Sequence, residues 1–165
     1  MSPMVDLESL AASLEALPFA KAIKESEWMF PAIEVFHVLA LALVVGSISM
    51  LDLRLLGGSR HRGVREMIRE VLPWTWVAFA AAVVSGSLMF SSAAVKYWGM
   101  VQFQVKLLLI VVAGINMLVF HLVTYRGVDR WNLDAATPVG AKVAGGLSLT
   151  LWIGVVTLGR SLGFV

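Results

Sequence analysis

The chain has 165 residues, 59% of them hydrophobic, a mean hydropathy of +0.84 and a net charge of +2. Soluble domains average roughly 45–50% apolar residues, so this composition excludes an ordinary soluble fold, and so small a charge argues against nucleic acid as a partner. No cysteine is present, which excludes disulfides, thiolate metal sites and iron–sulfur clusters.

Residues 1–26 are acidic near their start and lack the continuous apolar region of a secretory signal. Leu7, Leu10, Leu14 and Leu17 recur at helical spacing, with Asp6 as a candidate N-cap and Pro18 as a break or restart. The segment is expected to lie on the membrane surface as an amphipathic helix. Four apolar blocks follow, at about 28–56, 73–95, 102–125 and 142–160, each long enough to cross a bilayer. Between the first two, "GGSRHRGVREMIREV" puts Val64, Met67, Ile68 and Val71 on one side of a helix and charges on the other, which predicts an interfacial helix. Residues 126–141 hold Asp, Asn, Pro and Gly and read as a loop. The expected fold class is therefore all-α: an integral membrane four-helix bundle over residues 27–165, preceded by a surface segment.

Arginine and lysine set the expected orientation. Arg54, Arg60, Arg62, Arg65, Arg69, Arg126, Arg130 and Lys142 gather at one end of the spans, against Lys21, Lys24, Lys96 and Arg160 at the other. The positive-inside rule then puts both termini outside, on the periplasmic side of a bacterial inner membrane. Trp28 and Trp98 would mark the outer interface and Trp74, Trp76 and Trp131 the inner one, while Trp152 falls in mid-span.

Ionisable residues inside the spans are costly and usually face a bundle interior. At about 100° per residue, Glu34, His37 and Asp52 share one face of span 1, while Arg54 points elsewhere and is expected to snorkel to the headgroups. Span 3 repeats the arrangement with Lys106 and His121. Two polar layers result. The outer one holds Glu34, His37 and Lys106, with Arg160 as a further candidate and a Glu34–Lys106 ion pair as the expected contact. The inner one holds Asp52 and His121, with Asn116 and Ser148 as further candidates. Small residues line span 2 (Ala78, Ala82, Ser85, Ser92) and span 4 (Gly145, Gly146, Gly154), which suits close packing and would leave room for a flat cofactor.

Inward histidines in a membrane four-helix bundle raise b-type haem as a cofactor, because haem takes axial His or Met ligands. His37 and His121 are the candidate metal ligands, with Met89 at the depth of His37 and Trp152 as a residue that could flank the cofactor. Their positions put them roughly 20 Å apart along the membrane normal, at about 1.5 Å per residue, so one iron cannot take both within a protomer. Met and His also suit Cu(I), although the only M-x-x-M is Met1 with Met4. Each histidine can equally serve as a hydrogen-bonding group between helices. No catalytic motif of the G-x-S-x-G, P-loop or H-E-x-x-H type occurs.

Trp28, Pro31, Glu34 and His37, then "DLRLLG" from Asp52 to Gly57, Phe103 with Lys106, Asn116 with His121, Ser148 with Trp152, and Gly159-Arg160 form an ordered set over all four spans. This set resembles a family of small bacterial four-helix inner-membrane proteins with no assigned function. More distantly, the layout is similar to membrane cytochromes b and to the membrane proteins of bacterial copper resistance. That resemblance implies haem- or copper-linked electron transfer at the periplasmic face, with a periplasmic redox partner; the chain's three histidines are fewer than the four of the two-haem cytochromes. The readings carried forward are thus a redox protein holding haem b or copper, a conductor of protons or a small ion, and a non-catalytic subunit of a homo-oligomer or larger membrane complex.

Overall fold

A computed structural model describes residues 3–133 and 135–164. Met1 and the side chains of Met4 and Asp6 lie outside the described residues. The described chain is all-α: α1 (Pro3–Glu15), α2 (Pro18–Glu25), α3 (Met29–Leu55), α4 (Val64–Ser92), α5 (Ala94–Trp98), α6 (Val101–Val119) and α7 (Val139–Ser161). A π-helical turn (Phe120–Thr124) and a 3₁₀ turn (Tyr125–Arg130) continue α6, and a 3₁₀ turn (Leu162–Phe164) ends α7. Four helical stretches are long and apolar enough to cross a membrane: Met29–Leu55, Val64–Ser92, Val101–Arg130 and Val139–Phe164. Their outward positions carry Phe36, Leu39, Leu43, Leu108, Val123 and Ile153, all exposed, an apolar surface suited to acyl chains. The protein is a multi-pass membrane protein.

The four spans stand in the order α4–α3–α7–α6. α3 packs on α4 and on α7, and α7 on α6. Small residues set these approaches: Ala78, Ala82 and Ser85 of α4 are buried, and Ser47 of α3 meets Thr75 of α4 hydroxyl to hydroxyl at 2.8 Å. A Cβ on Gly145 of α7 would stand 3.0 Å from the Asp52 carbonyl and from Leu55 of α3, so α7 crosses α3 at a notch that glycine leaves open.

At the terminal end, Pro18 restarts the helix from its first turn. α1 packs on α5 and α2 on α4. The leucines of the predicted apolar stripe, Leu7, Leu10, Leu14 and Leu17, are exposed, while Ala11, Ala20 and Ile23 are buried. Glu15 joins the two sides, accepting the Val95 N–H at 2.8 Å with the Lys24 ammonium 3.6 Å away.

The loop end departs from the sequence reading in three ways. The expected interfacial helix is not a separate element: α4 runs unbroken from Val64 through Pro73. Val64, Met67 and Ile68 are buried, with Val64 and Ile68 in a core cluster that also holds Leu55, Phe120, Val128 and Trp131. Trp131 is thus a core residue, 7% exposed, and not part of an interfacial belt. Arg54 does not snorkel. It is 1% exposed, its Nε donating to the Arg62 carbonyl at 2.7 Å, one terminal nitrogen to Thr137 Oγ1 at 3.2 Å and the other to the Asn132 carbonyl at 3.0 Å. Acceptors from both connecting loops satisfy the guanidinium fork, so a headgroup is not needed.

Candidate functional site

Two polar levels exist, and they differ in kind. Toward the terminal end, His37 of α3 turns onto α4. Ser85 Oγ stands 2.7 Å from the Ala81 carbonyl and 2.9 Å from His37 Nδ1. With the hydroxyl turned to Ala81 its oxygen accepts from Nδ1–H; turned to the ring it donates to Nδ1. The ring sits over Gly86, where a Cβ would stand 3.0 Å from the ring carbon between the two nitrogens. Met89, the sequence candidate for a partner, is one turn farther along α4 than these contacts. Glu34 and Lys106 both act electrostatically on His37.

Glu34 and Lys106 do not form the expected ion pair. Glu34 is exposed, and the Lys106 ammonium lies against Gly159 of α7, 3.3 Å from where a Cβ would stand. The reason is the helix order: α3 neighbours α4 and α7, and α6 neighbours α7, so the two side chains start from helices that do not adjoin. Arg160 is exposed, with its guanidinium 4.9 Å from the Phe164 ring centroid. Tyr97 of α5 completes this level. Burial, and after it the charge of Glu34, push its phenol above the ordinary value.

Toward the loop end the four spans enclose a cavity of about 150 Å³. Asp52, Asn116, His121, Ser148 and Trp152 all line it. Asp52 is 4% exposed. Its carboxylate interacts with the Ser148 hydroxyl, which the Gly145 notch one turn away brings within reach, and Oδ2 has no partner. Asn116 donates from Nδ2 to the Ala144 carbonyl at 2.9 Å. His121 stands in the π-helical turn, with Nδ1 2.9 Å from the Met117 carbonyl. A carbonyl only accepts, so Nδ1 carries the proton, and Nε2 is a buried acceptor without a partner. π-turns inside helices often mark functional positions. Trp152 forms a wall, edge-on to Phe79 at 6.4 Å, with Trp76 edge-on to Phe79 beyond it at 6.0 Å.

No family model, curated protein or solved structure matches the chain. The functional reading therefore rests on the geometry alone.

His37 and His121 belong to separate levels, and among the described residues no group of three His, Asp or Glu side chains converges as a metal site. The cavity is smaller than the ~300–1,000 Å³ that drug-sized ligands occupy, so a haem beside His121 would need the helices to part. What the lining residues leave unpartnered are acceptors: a carboxylate oxygen of Asp52 and an imidazole nitrogen of His121. Such a set holds water, a proton or a cation. The sequence pattern brought Asp52, His121, Asn116 and Ser148 to one depth. It did not mark Ser85 as the partner of His37, Tyr97 as a neighbour of Glu34, or Trp76 and Phe79 as cavity walls. The stripe Ala78–Ala82–Ser85 was the available signal for Ser85; the others depend on which helices adjoin.

Proposed function

We propose that the protein moves protons or a small cation through the bilayer, with Asp52 as the group that takes up and releases the charge. One observation carries the reading. A carboxylate with an unpartnered oxygen and an imidazole with an unpartnered nitrogen line one small cavity inside the membrane. A buried charge without a partner is expensive, and ionisable groups kept inside membranes at that cost mark ion pathways and proton relays. His37, Glu34, Lys106 and Tyr97 form the outer station, and the cavity the inner one. The excess of arginine at the loop end supports a bacterial inner-membrane orientation with both termini on the periplasmic side.

The test is flux in proteoliposomes under an imposed pH gradient, with sodium and potassium gradients in parallel. Wild-type protein should dissipate one of these gradients faster than protein-free liposomes. Asp52→Asn should return the rate to background, and Glu34→Gln should slow it. A wild-type rate equal to background for all three ions would overturn the reading.

A redox role is the second reading, favoured by the histidine geometry. At His121 a carbonyl holds Nδ1–H and leaves Nε2 without a partner among the described residues, as in metal-ligating histidines. Met117 shares the cavity with His121, a donor pair that suits Cu(I) better than haem in this space. Metal analysis and a reduced-minus-oxidised spectrum of the purified protein decide it. Absence of both metal and a Soret band would exclude it.

A further inference from the structure

We infer that the inner cavity is a binding site for a small lipophilic organic ammonium ion that enters sideways from the bilayer between α4 and α6. This deepens the transport reading by naming a substrate class, and it rests on that reading only for the statement that the ligand is moved as well as bound.

Charge and shape define the ligand. Two polar atoms of the lining residues have no partner among the described residues, and both accept hydrogen bonds: Asp52 Oδ2 and His121 Nε2. Asn116 has already given an N–H to the Ala144 carbonyl, and Ser148 is engaged with Asp52. No lysine or arginine lines the space. An anion would meet a carboxylate and no cationic side chain to offset it, whereas an ammonium N–H would complete the carboxylate and the imidazole together. The rest of the wall is apolar and aromatic. Trp152, Trp76 and Phe79 stand edge to face in sequence, and aromatic rings attract organic cations. A bare metal cation would want several oxygen ligands, and no such cluster converges among the described residues. A cavity of about this volume takes up a benzene ring, so one ring bearing an amine fits.

The helix order supplies the entrance. α4 and α6 are the two ends of the row, and they scarcely pack on each other. Toward the terminal end the seam between them is closed by Phe90 stacked on Phe103 at 5.1 Å, and toward the loop end by the cluster of Ile68, Phe120 and Trp131. Between these closures both Trp76 and Gly114 line the cavity and are exposed. A Cβ on Gly114 would meet nothing within 4 Å. A shallow surface groove along α4, past Pro73 to Arg69, shares Leu72 and Trp76 with the cavity. A molecule dissolved in the bilayer can thus reach Asp52 without crossing the polar ends of the bundle.

Binding to the full-length protein in lipid nanodiscs tests this, with benzylammonium, benzyl alcohol and benzoate as probes of matched shape. Wild type should bind benzylammonium about tenfold or more tightly than benzyl alcohol, as a charge-assisted hydrogen bond implies, and benzoate least. Asp52→Asn should remove that preference. Gly114→Phe, placed where there is open space, should slow association several-fold with the fold intact by circular dichroism. Equal binding of amine and alcohol by wild type, a preference for benzoate, or an unchanged preference in Asp52→Asn would overturn the site. An unchanged association rate in Gly114→Phe would overturn the lateral entrance. The flux assay separates the two claims. Proton flux without amine selectivity removes this site and leaves the transport reading. Amine binding without any flux, of the amine included, keeps the site and removes the transport reading.

Discussion

Asp52 and Arg54 stand two residues apart on α3 and meet opposite environments. The inward turn of Asp52 was legible, because it shares a helical face with His37 and a charge in a span has few other places to go. The burial of Arg54 was not. Two of its partners are the carbonyls of Arg62 and Asn132, and backbone acceptors leave no mark in a residue pattern. Replacing Arg54 by Ala should cost ~3 kcal/mol or more, at about 1–3 kcal/mol for each buried acceptor left unpaired, because it strands two loop carbonyls and the Thr137 hydroxyl. Arg54→Lys should recover only a minor part, since one ammonium cannot follow a planar fork to three acceptors. Denaturant unfolding in detergent reads both; a lysine variant as stable as wild type would show that the fork geometry is dispensable.

Tyr97 gives a second prediction at this scale. Burial is the larger cause of its raised pKa and the charge of Glu34 the smaller. Glu34→Gln should therefore lower the titration while leaving it above the ordinary value of about 10. The sign follows from linkage. The folded state holds the phenol proton more tightly than the unfolded chain, so its contribution is intact below the unfolded pKa and is lost as pH rises through the folded one. The chain has two tyrosines, so phenolate absorbance in a Tyr125→Phe background isolates Tyr97. An unmoved titration in Glu34→Gln would show that the carboxylate does not reach it.

At the scale of elements, all four spans could be read from apolar length alone, and the start of α4 could not. Pro73 reads as a boundary because it removes a helical N–H and crowds the preceding turn. Here the helix continues through it, and residues 64–72 are held from the side by the loop before α7. The Asn132 carbonyl accepts the Val64 N–H at 3.2 Å, its side-chain oxygen accepts the Arg65 N–H at 2.8 Å, and its amide reaches Glu66 at 3.1 Å. Arg65 also pairs with Asp129 at 2.6 Å. One residue nearly 70 positions away thus caps the helix, and no local signal at Gly63 announces it. Asn132→Ala should cost ~1 kcal/mol, the usual loss of an N-cap side chain. Its effect should appear as faster amide exchange confined to the first two turns of α4, with the stretch after Pro73 unchanged. Uniform exchange along all of α4 would mean that the proline does not separate the two parts.

At the scale of the whole molecule, lipid is the solvent for most of the surface, and the interior is thin. That is why a binary pattern identified the spans and could not order them: nearly every face of α3 and α6 is apolar, so hydrophobicity does not choose a neighbour. Glycines and short hydroxyl residues choose instead, and Gly145 is the clearest case, seating α7 on the backbone of α3 at Asp52. The helix order then decides the chemistry, keeping Glu34 from Lys106 while bringing Asp52 and His121 to one cavity.

The remaining whole-molecule question is direction, on which the proposed orientation makes a prediction. The loop end carries Arg60, Arg62, Arg65, Arg69, Arg126, Arg130 and Lys142, against Lys21, Lys24, Lys96 and Arg160 at the terminal end. With Arg54 committed to the interior, the loop-end excess shrinks by one and keeps its sign, so the positive-inside rule still favours the proposed orientation, with the loops in the cytoplasm. Because the chain has no cysteine, single-cysteine variants report this without further changes. His61 and Glu27 are exposed at opposite ends. In intact spheroplasts a membrane-impermeant maleimide should label Glu27→Cys and leave His61→Cys unlabelled until the membrane is opened. The reverse pattern would invert the bundle and make the cavity's nearer face the outer one. Asp52 would then exchange its charge closest to the outer solution, and the outer station of His37 and Glu34 would become the inner.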